Sequence, residues 1–272
     1  MKWPEDWDKP SEGNDTLCKS FHSSVWKDED GFTLNYRYFT PAKRSHATGG
    51  HDKYPLVLYL HGADAFGHDN SLQLEMHDIG TMFARKDWQD VHPCYILAPQ
   101  CAMEQHWSRK DVGDHVQHFV EHFLSSYMDA DRSRLYIYGY SAGGLGVLNI
   151  LKRHEGFYAA ALPICGATGG DKLLNLLKTP MWMIHAADDR IVKASYGNPG
   201  IGSKFYLGSR DIYEVLQENS VPHMELLYTE FPEGWLKKFL GVNAHCSWVA
   251  VSDPILGKSY RDWLFKQVLR LT

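Results

Sequence analysis

One pattern limits this chain more than any other: short apolar runs alternate with stretches of helical periodicity. Pro55-Leu56-Val57-Leu58-Tyr59-Leu60 is apolar throughout, as expected of a strand buried on both faces. Helical spacing follows from about Leu72 to Lys86, then a second buried run, Cys94-Tyr95-Ile96-Leu97-Ala98. Residues 111–128 read as a helix, Leu135 to Tyr138 as a strand and 142–153 as a helix. Tyr158 to Ile164 and Met181 to Ile184 read as two more strands. A helix is expected over 208–219, a last strand over His223 to Tyr228 and an amphipathic helix from about Ser259 to Leu271. Strands that alternate with helices imply an α/β fold, with a mostly parallel central sheet covered by helices on both faces. Upstream, Phe21 to Trp26 and Phe32 to Phe39 flank the turn Asp28-Glu29-Asp30-Gly31 and predict an N-terminal antiparallel pair. Residues 1–20 are polar and read as an arm. The remainder, 21–272, reads as a single domain, within the size that α/β folds reach as one unit.

Composition narrows the function. The formal charge is −5 with no block of like charges, which argues against a nucleic-acid partner. The longest apolar run is far below the ~20 residues needed to cross a bilayer, so no membrane role is expected. The first residues contain no apolar leader, and the five scattered cysteines form neither a disulfide framework nor a CxxC zinc knuckle. A cytoplasmic protein with reduced thiols is the expectation.

In open parallel sheets, ligands sit beyond the carboxyl ends of the strands, so the residues after each strand carry the chemistry. Leu135 to Tyr138 is followed by Gly139-Tyr140-Ser141-Ala142-Gly143-Gly144 and then a helix. This is G-x-S-x-G at a strand–helix junction, a sharp turn that exposes a serine hydroxyl. Ser141 is the expected nucleophile. The backbone N–H of Ala142, at the helix start, is an expected oxyanion donor. The strand over 55–60 ends in His61-Gly62-Ala63, which makes the Ala63 N–H the second donor. The chain order serine, acid, histidine puts the carboxylate after Met181 to Ile184, where Asp188 and Asp189 are adjacent and at most one can face the base. His245 follows the last strand and precedes the last helix, so it is the expected base; His223 opens a strand too early. His61 and His185, at strand ends, are expected to bond loop backbone. Trp107, Trp248 and Tyr140 are the candidate substrate-binding residues, with the tryptophans as pocket walls and Tyr140, beside the nucleophile, read more as buried support.

His115, His118 and His122 share a narrow helical arc that could in principle hold a transition metal. They border the apolar face of Val116, Phe119, Val120 and Phe123, where half-exposed histidine is common, and HExxH is absent. Neither a metal nor an organic cofactor is expected.

The order of these segments resembles the α/β-hydrolase superfamily of serine esterases. The branch it looks most like is the predicted-peptidase or feruloyl-esterase-like one, near polyhydroxybutyrate depolymerases and dienelactone-hydrolase-like esterases. The similar segments are Tyr59 to Ala63, Leu97 to Cys101, Asp131 to Tyr136, Gly139 to Gly144, Leu162 to Gly166 and His245 to Trp248. In such relatives the acid lies in a His-Gly-x-x-Asp-x-x-Val stretch, which maps it to Asp189 and the valine to Val192. The resemblance implies a Ser141–Asp189–His245 triad with oxyanion donors Ala63 and Ala142. It also implies an esterase acting through an acyl-enzyme on small acyl or aryl esters of acetyl or feruloyl type. A serine peptidase of the same fold and a catalytically silent binding protein are the alternatives. Ala186 departs from the usual glycine, Cys246 stands where many relatives carry aspartate, and extra segments near 194–207 and 232–243 are expected to rim the pocket.

Overall fold

The computed structural model describes residues 8–42, 53–195, 197–199, 205–220 and 225–269. Among them, eight strands form the central sheet. They are β1 (His22–Lys27), β2 (Thr33–Phe39), β3 (Tyr54–Leu60), β4 (Tyr95–Gln100), β5 (Ala130–Tyr140), β6 (Ala160–Ile164), β8 (Met181–Ala186) and β11 (Leu226–Phe231), in the spatial order β1-β2-β4-β3-β5-β6-β8-β11. The short strands β7 (Ala167–Thr168), β9 (Asn198–Pro199) and β10 (Phe205–Gly208) make a separate three-stranded patch. β1 and β2 pair antiparallel, β2 joins β4 antiparallel, and every later pairing in the large sheet is parallel.

The apolar runs are buried on both faces, as their lack of alternation requires. Leu56, Leu58 and Leu60 of β3 join the core on one side with Val116, Phe119 and Phe123, while Val57 and Tyr59 join the opposite core with Trp248, Trp263 and Leu264. The helices are α1 (Asn14–Lys19), α2 (Leu72–Glu75), α3 (Lys86–Val91), α4 (Lys110–Ser126), α5 (Ala142–Arg153), α6 (Ser209–Glu218), α7 (Trp235–Leu240), α8 (Trp248–Ser252) and α9 (Lys258–Lys266). None of them is long and apolar enough to cross a membrane.

Three elements depart from the sequence reading. The helix expected over 72–86 is broken into α2, 3-10 turns at Asp78–Gly80 and Met82–Ala84, and α3. Its buried apolar residues are Leu74, Ile79, Met82, Phe83 and Ala84, a spacing that follows the sheet surface beneath rather than a 3.6-residue period. The last strand runs over Leu226–Phe231, later than expected, and His223 lies outside the described residues. Within the polar arm, α1 docks. The Asn14 side-chain amide donates to Leu74 O at 3.1 Å, and the Thr81 hydroxyl donates to Asn14 Oδ1 at 2.6 Å. A polar side chain can be buried when its hydrogen bonds are met there, and nothing in the arm's composition reveals that pairing. On α4, His115 stacks on Phe32 with ring centroids 4.1 Å apart. Of the expected rim, the part over 200–204 and residue 196 lie outside the described residues, while 235–240 form α7.

Candidate active site

β5 lies beside β3 in the middle of the sheet and ends at Tyr140, and α5 begins at Ala142. Ser141 between them has φ 53° and ψ −120°. A non-glycine residue in that region costs about 1–3 kcal/mol and persists only where its surroundings enforce it. The enforcement is visible. The Ser141 N–H donates to Ile164 O at 3.0 Å and approaches Cys165 Sγ at 3.2 Å. Gly143 passes so close to β3 that a Cβ there would lie 1.9 Å from Leu60 O. The glycine two positions after the serine is therefore what lets the helix leave the strand at this angle. Ser141 remains partly accessible, whereas the groups behind it are buried.

His245 Nε2 lies 2.9 Å from Ser141 Oγ, and His245 Nδ1 lies 2.7 Å from Asp189 Oδ2. An ionised carboxylate can only accept, so Nδ1–H donates to Asp189 and Nε2 is left to accept from the serine hydroxyl. Asp189 Oδ1 accepts the backbone N–H groups of Ile191 (2.9 Å) and Val192 (3.1 Å). Burial pushes its carboxyl up, but hydrogen bonds from His185 and His245 outweigh that and hold it well below the usual carboxylate range. It is therefore ionised wherever His245 must be oriented. Asp188 points elsewhere: its Oδ2 accepts the Gly234 N–H at 2.9 Å, ahead of α7. The two carboxylates that the sequence leaves open are thus separated by the turn, and Asp189 alone contacts the imidazole.

His185 stands behind Asp189, with Nε2 3.3 Å from Asp189 Oδ2 and 2.8 Å from Val192 O, and Nδ1 2.8 Å from Ser209 Oγ. It bonds loop backbone as expected and in addition braces the acid. The His245 loop is tied by its own N–H to Asn243 Oδ1 at 2.9 Å.

At the end of β3, His61 is fully buried. Its Nε2 accepts the Cys101 N–H at 2.9 Å, and Nδ1 lies 2.6 Å from Gly62 O. Burial lowers its pKa to about 4, so the ring is neutral and works as a backbone clamp. Ala63 opens a 3-10 turn and Ala142 opens α5; N–H groups in the first turn of a helix have no partner within it, which is the position that an oxyanion donor requires. The indole of Trp107 donates to His61 O at 3.0 Å.

The tryptophan expectation needs correcting. Trp107 and Trp248 are both fully buried and Tyr140 is 1% exposed, so none of them lines an open pocket. Trp107 packs against His61 with centroids 5.1 Å apart, and Trp248 sits edge-on to His245 at 5.5 Å. Large aromatic area is more favourable in the core than at a wet rim. Two residues that sequence reasoning passed over belong to the same neighbourhood. The Asp64 side chain accepts the Tyr140 hydroxyl at 2.7 Å, and its second oxygen lies 2.5 Å from His77 Nε2. No motif marks this pair, since only the fold of the broken segment at 72–86 brings His77 there. Among the described residues one cluster offers three metal-ligand types within reach of each other, Cys165 with Asp189 and His245. Two of those three are already committed to one another, and burial pushes the Cys165 thiol well above its ordinary value.

Comparison with known proteins agrees with this architecture. Residues 100–193 match the model of the prolyl oligopeptidase family. A thermostable esterase of known structure is 30% identical, with a TM-score of 0.78 over 93% of this chain and 64% of the esterase. The chain thus spans less than two thirds of that esterase's length. An acylaminoacyl peptidase from Pyrococcus horikoshii is 14% identical, with a TM-score of 0.59 over 96% of this chain and 45% of the peptidase. A puromycin-hydrolyzing peptidase from Mycobacterium tuberculosis is 14% identical, with a TM-score of 0.55 over 78% of this chain and 35% of that one; at such identity the two peptidases speak to fold alone. No curated protein sequence matches the chain. Sheet order, elbow and the esterase likeness together give the chain the α/β-hydrolase fold and make it similar to the serine esterases of that superfamily.

Proposed function

We propose that this protein is a serine carboxylic-ester hydrolase that works through an acyl-enzyme on small acyl or aryl esters of acetyl or feruloyl type. The observation that carries the reading is the unbroken line of contacts from Asp189 to His245 to Ser141, at 2.7 and 2.9 Å, ending on a serine held at φ 53°. The esterase likeness, at twice the identity of the peptidases, supports ester over amide cleavage.

In this reading Ser141 Oγ attacks the ester carbonyl carbon while its proton passes to His245 Nε2. The ionised Asp189 holds the ring tautomer and stabilises the imidazolium. The N–H groups of Ala63 and Ala142 hold the oxyanion of the tetrahedral intermediate. Its collapse breaks the bond to the alcohol oxygen, which takes the proton from His245. Water then enters, gives a proton to the same nitrogen, attacks the acyl carbon and releases the acid and Ser141. All five cysteines are buried thiols outside any disulfide, which favours a reducing, cytoplasmic setting. The partner is a small-molecule ester.

The test is hydrolysis of p-nitrophenyl esters of graded chain length and of methyl hydroxycinnamates by the wild type and by Ser141→Ala. Turnover that survives in the variant refutes the mechanism. Fluorophosphonate modification confined to Ser141 supports it and excludes a silent binding protein. A serine peptidase is the second reading, favoured by the family match over residues 100–193; faster cleavage of peptide anilides than of esters would establish it.

A further inference from the structure

Asp64 follows Ala63 directly, and Tyr140 precedes Ser141 directly. One hydrogen bond, from the Tyr140 hydroxyl to Asp64 Oδ1 at 2.7 Å, therefore ties the neighbour of one oxyanion donor to the neighbour of the nucleophile. The tyrosine ring is packed closely against the loop: a Cβ on Gly62 would fall 2.4 Å from Tyr140 Cε2. The other carboxylate oxygen, Oδ2, sits 2.5 Å from His77 Nε2, with both side chains almost completely buried. His77 Nδ1 faces a second carboxylate, Asp8 Oδ2, at 3.4 Å. That distance is long for a hydrogen bond, so the Asp64 contact is the strong one. The His77 ring packs on Tyr140 (5.5 Å) and on Trp248 (5.1 Å), and Trp248 meets His245. A buried charge pair thus touches the oxyanion loop, the nucleophile elbow and the base loop together.

Nothing in the triad chemistry uses this pair, yet burying two charges is costly unless their geometry is held by further bonds. We infer that the Asp64–His77 ion pair, through the Tyr140 hydroxyl, is a positioning device that sets the Ala63 N–H at its distance from Ser141. Asp64 and His77 are positioning residues for the oxyanion hole, with no contact to the reacting atoms. This rests on the ester-hydrolase reading above. A donor misplaced by a fraction of an ångström weakens the transition state more than the bound substrate, because only the transition state carries the full oxyanion charge. The signature is a fall in kcat with KM nearly constant.

The full chain is compared with Asp64→Asn, His77→Gln and Tyr140→Phe on p-nitrophenyl acetate, each assayed well below its own melting temperature. Affinity for an aryl trifluoromethyl ketone, whose adduct on Ser141 is an oxyanion, is measured in parallel. Removal of a whole donor costs about 10²–10³ in turnover, so its displacement should cost about 10- to 100-fold in kcat. KM should stay within about threefold, and ketone affinity should weaken by the same factor as kcat/KM falls. A purely structural role would lower the melting temperature while leaving kcat and ketone affinity of the folded enzyme as in the wild type, and that result overturns the inference. Tyr140→Phe keeps the ring and the ion pair, so it decides the matter if the charge variants do not fold: wild-type kcat in that variant is refutation enough. Wild-type protein without Ser141-dependent turnover overturns the ester-hydrolase reading together with this inference, whereas an active wild type beside an equally active Tyr140→Phe overturns only this one.

Discussion

His77 provides a measurable link between pH and stability. Burial by itself pulls the imidazole down, but the hydrogen bond to Asp64 and the negative charges of Asp64 and Asp8 more than reverse this and raise its pKa to about 9 from an ordinary 6.5. The groups facing it are Asp64, Asp8 and the Tyr140 hydroxyl that shares Asp64. The folded state holds the proton more tightly than the unfolded chain, so unfolding releases it in the window between the two values. The stabilisation is complete below pH 6.5 and disappears as pH rises through about 9. At ~1.4 kcal/mol per tenfold change in proton affinity, that gap amounts to roughly 3 kcal/mol, counted once for the pair and not again for Asp64. Urea unfolding of the wild type and of His77→Gln at pH 6, 7.5 and 9.5 measures it. Other groups also destabilise the fold in alkali, such as Cys94 and Cys101, each pushed up to about 12 by burial. They are common to both proteins and cancel in the difference. The stability advantage of the wild type over the variant should shrink by roughly 3 kcal/mol across this range. An advantage that stays constant to within about 0.5 kcal/mol would show that His77 is not charged in the fold, and the reasoning about the ion pair would fail.

Three further outcomes can be checked independently. Asp189→Asn should lower kcat by about 10³- to 10⁴-fold, because the amide can donate to Nδ1 and so stabilises the wrong imidazole tautomer; Asp188→Asn, which only loosens a bond to Gly234, should stay within about twofold. Steady-state kinetics on one ester separates the two. Gly143→Ala should destabilise the protein by about 3 kcal/mol or more, or prevent folding, because its Cβ has a backbone oxygen in its place; a denaturation curve like that of the wild type would contradict the close approach. Ser141→Gly should be more stable than Ser141→Ala by about 1 kcal/mol, since relief of the positive φ outweighs the chain entropy of glycine. Equal melting temperatures for the two would show that the elbow is unstrained.

Much of this architecture is written in local chemistry. Apolar runs without alternation, too short for a buried helix and set between helical stretches, read as strands covered on both faces, so β3, β4, β5 and β8 and the parallel sheet follow from hydrophobicity, run length and chain connectivity. The elbow is equally legible, because backbone strain at Ser141 and close approach at the glycines two positions to either side restrict which residue types can stand at 139–144. The position of His245 follows from chain order, since a loop after the last strand is the place from which a side chain can reach back over the sheet. Elements whose shape is set by what they touch are not legible in this way. The segment from 72 to 86 has helical composition but breaks into short turns, because its apolar side chains follow the sheet beneath them. Trp107 and Trp248 are chemically suited to either a pocket or a core, and only packing against His61 and His245 puts them inside. The choice between Asp188 and Asp189 depends on the direction of two adjacent side chains in one turn, which residue type does not encode. The Asp64–His77 pair is further still from the sequence: thirteen positions separate the two residues, no spacing rule joins them, and a charge pair forms there only because the fold removes both groups from water in the same place. Local propensity and patterning thus determine which elements exist and which residue types can work at their ends. The direction of each side chain and the pairing of buried charges are decided by long-range packing, the only stage at which desolvation selects one partner among many.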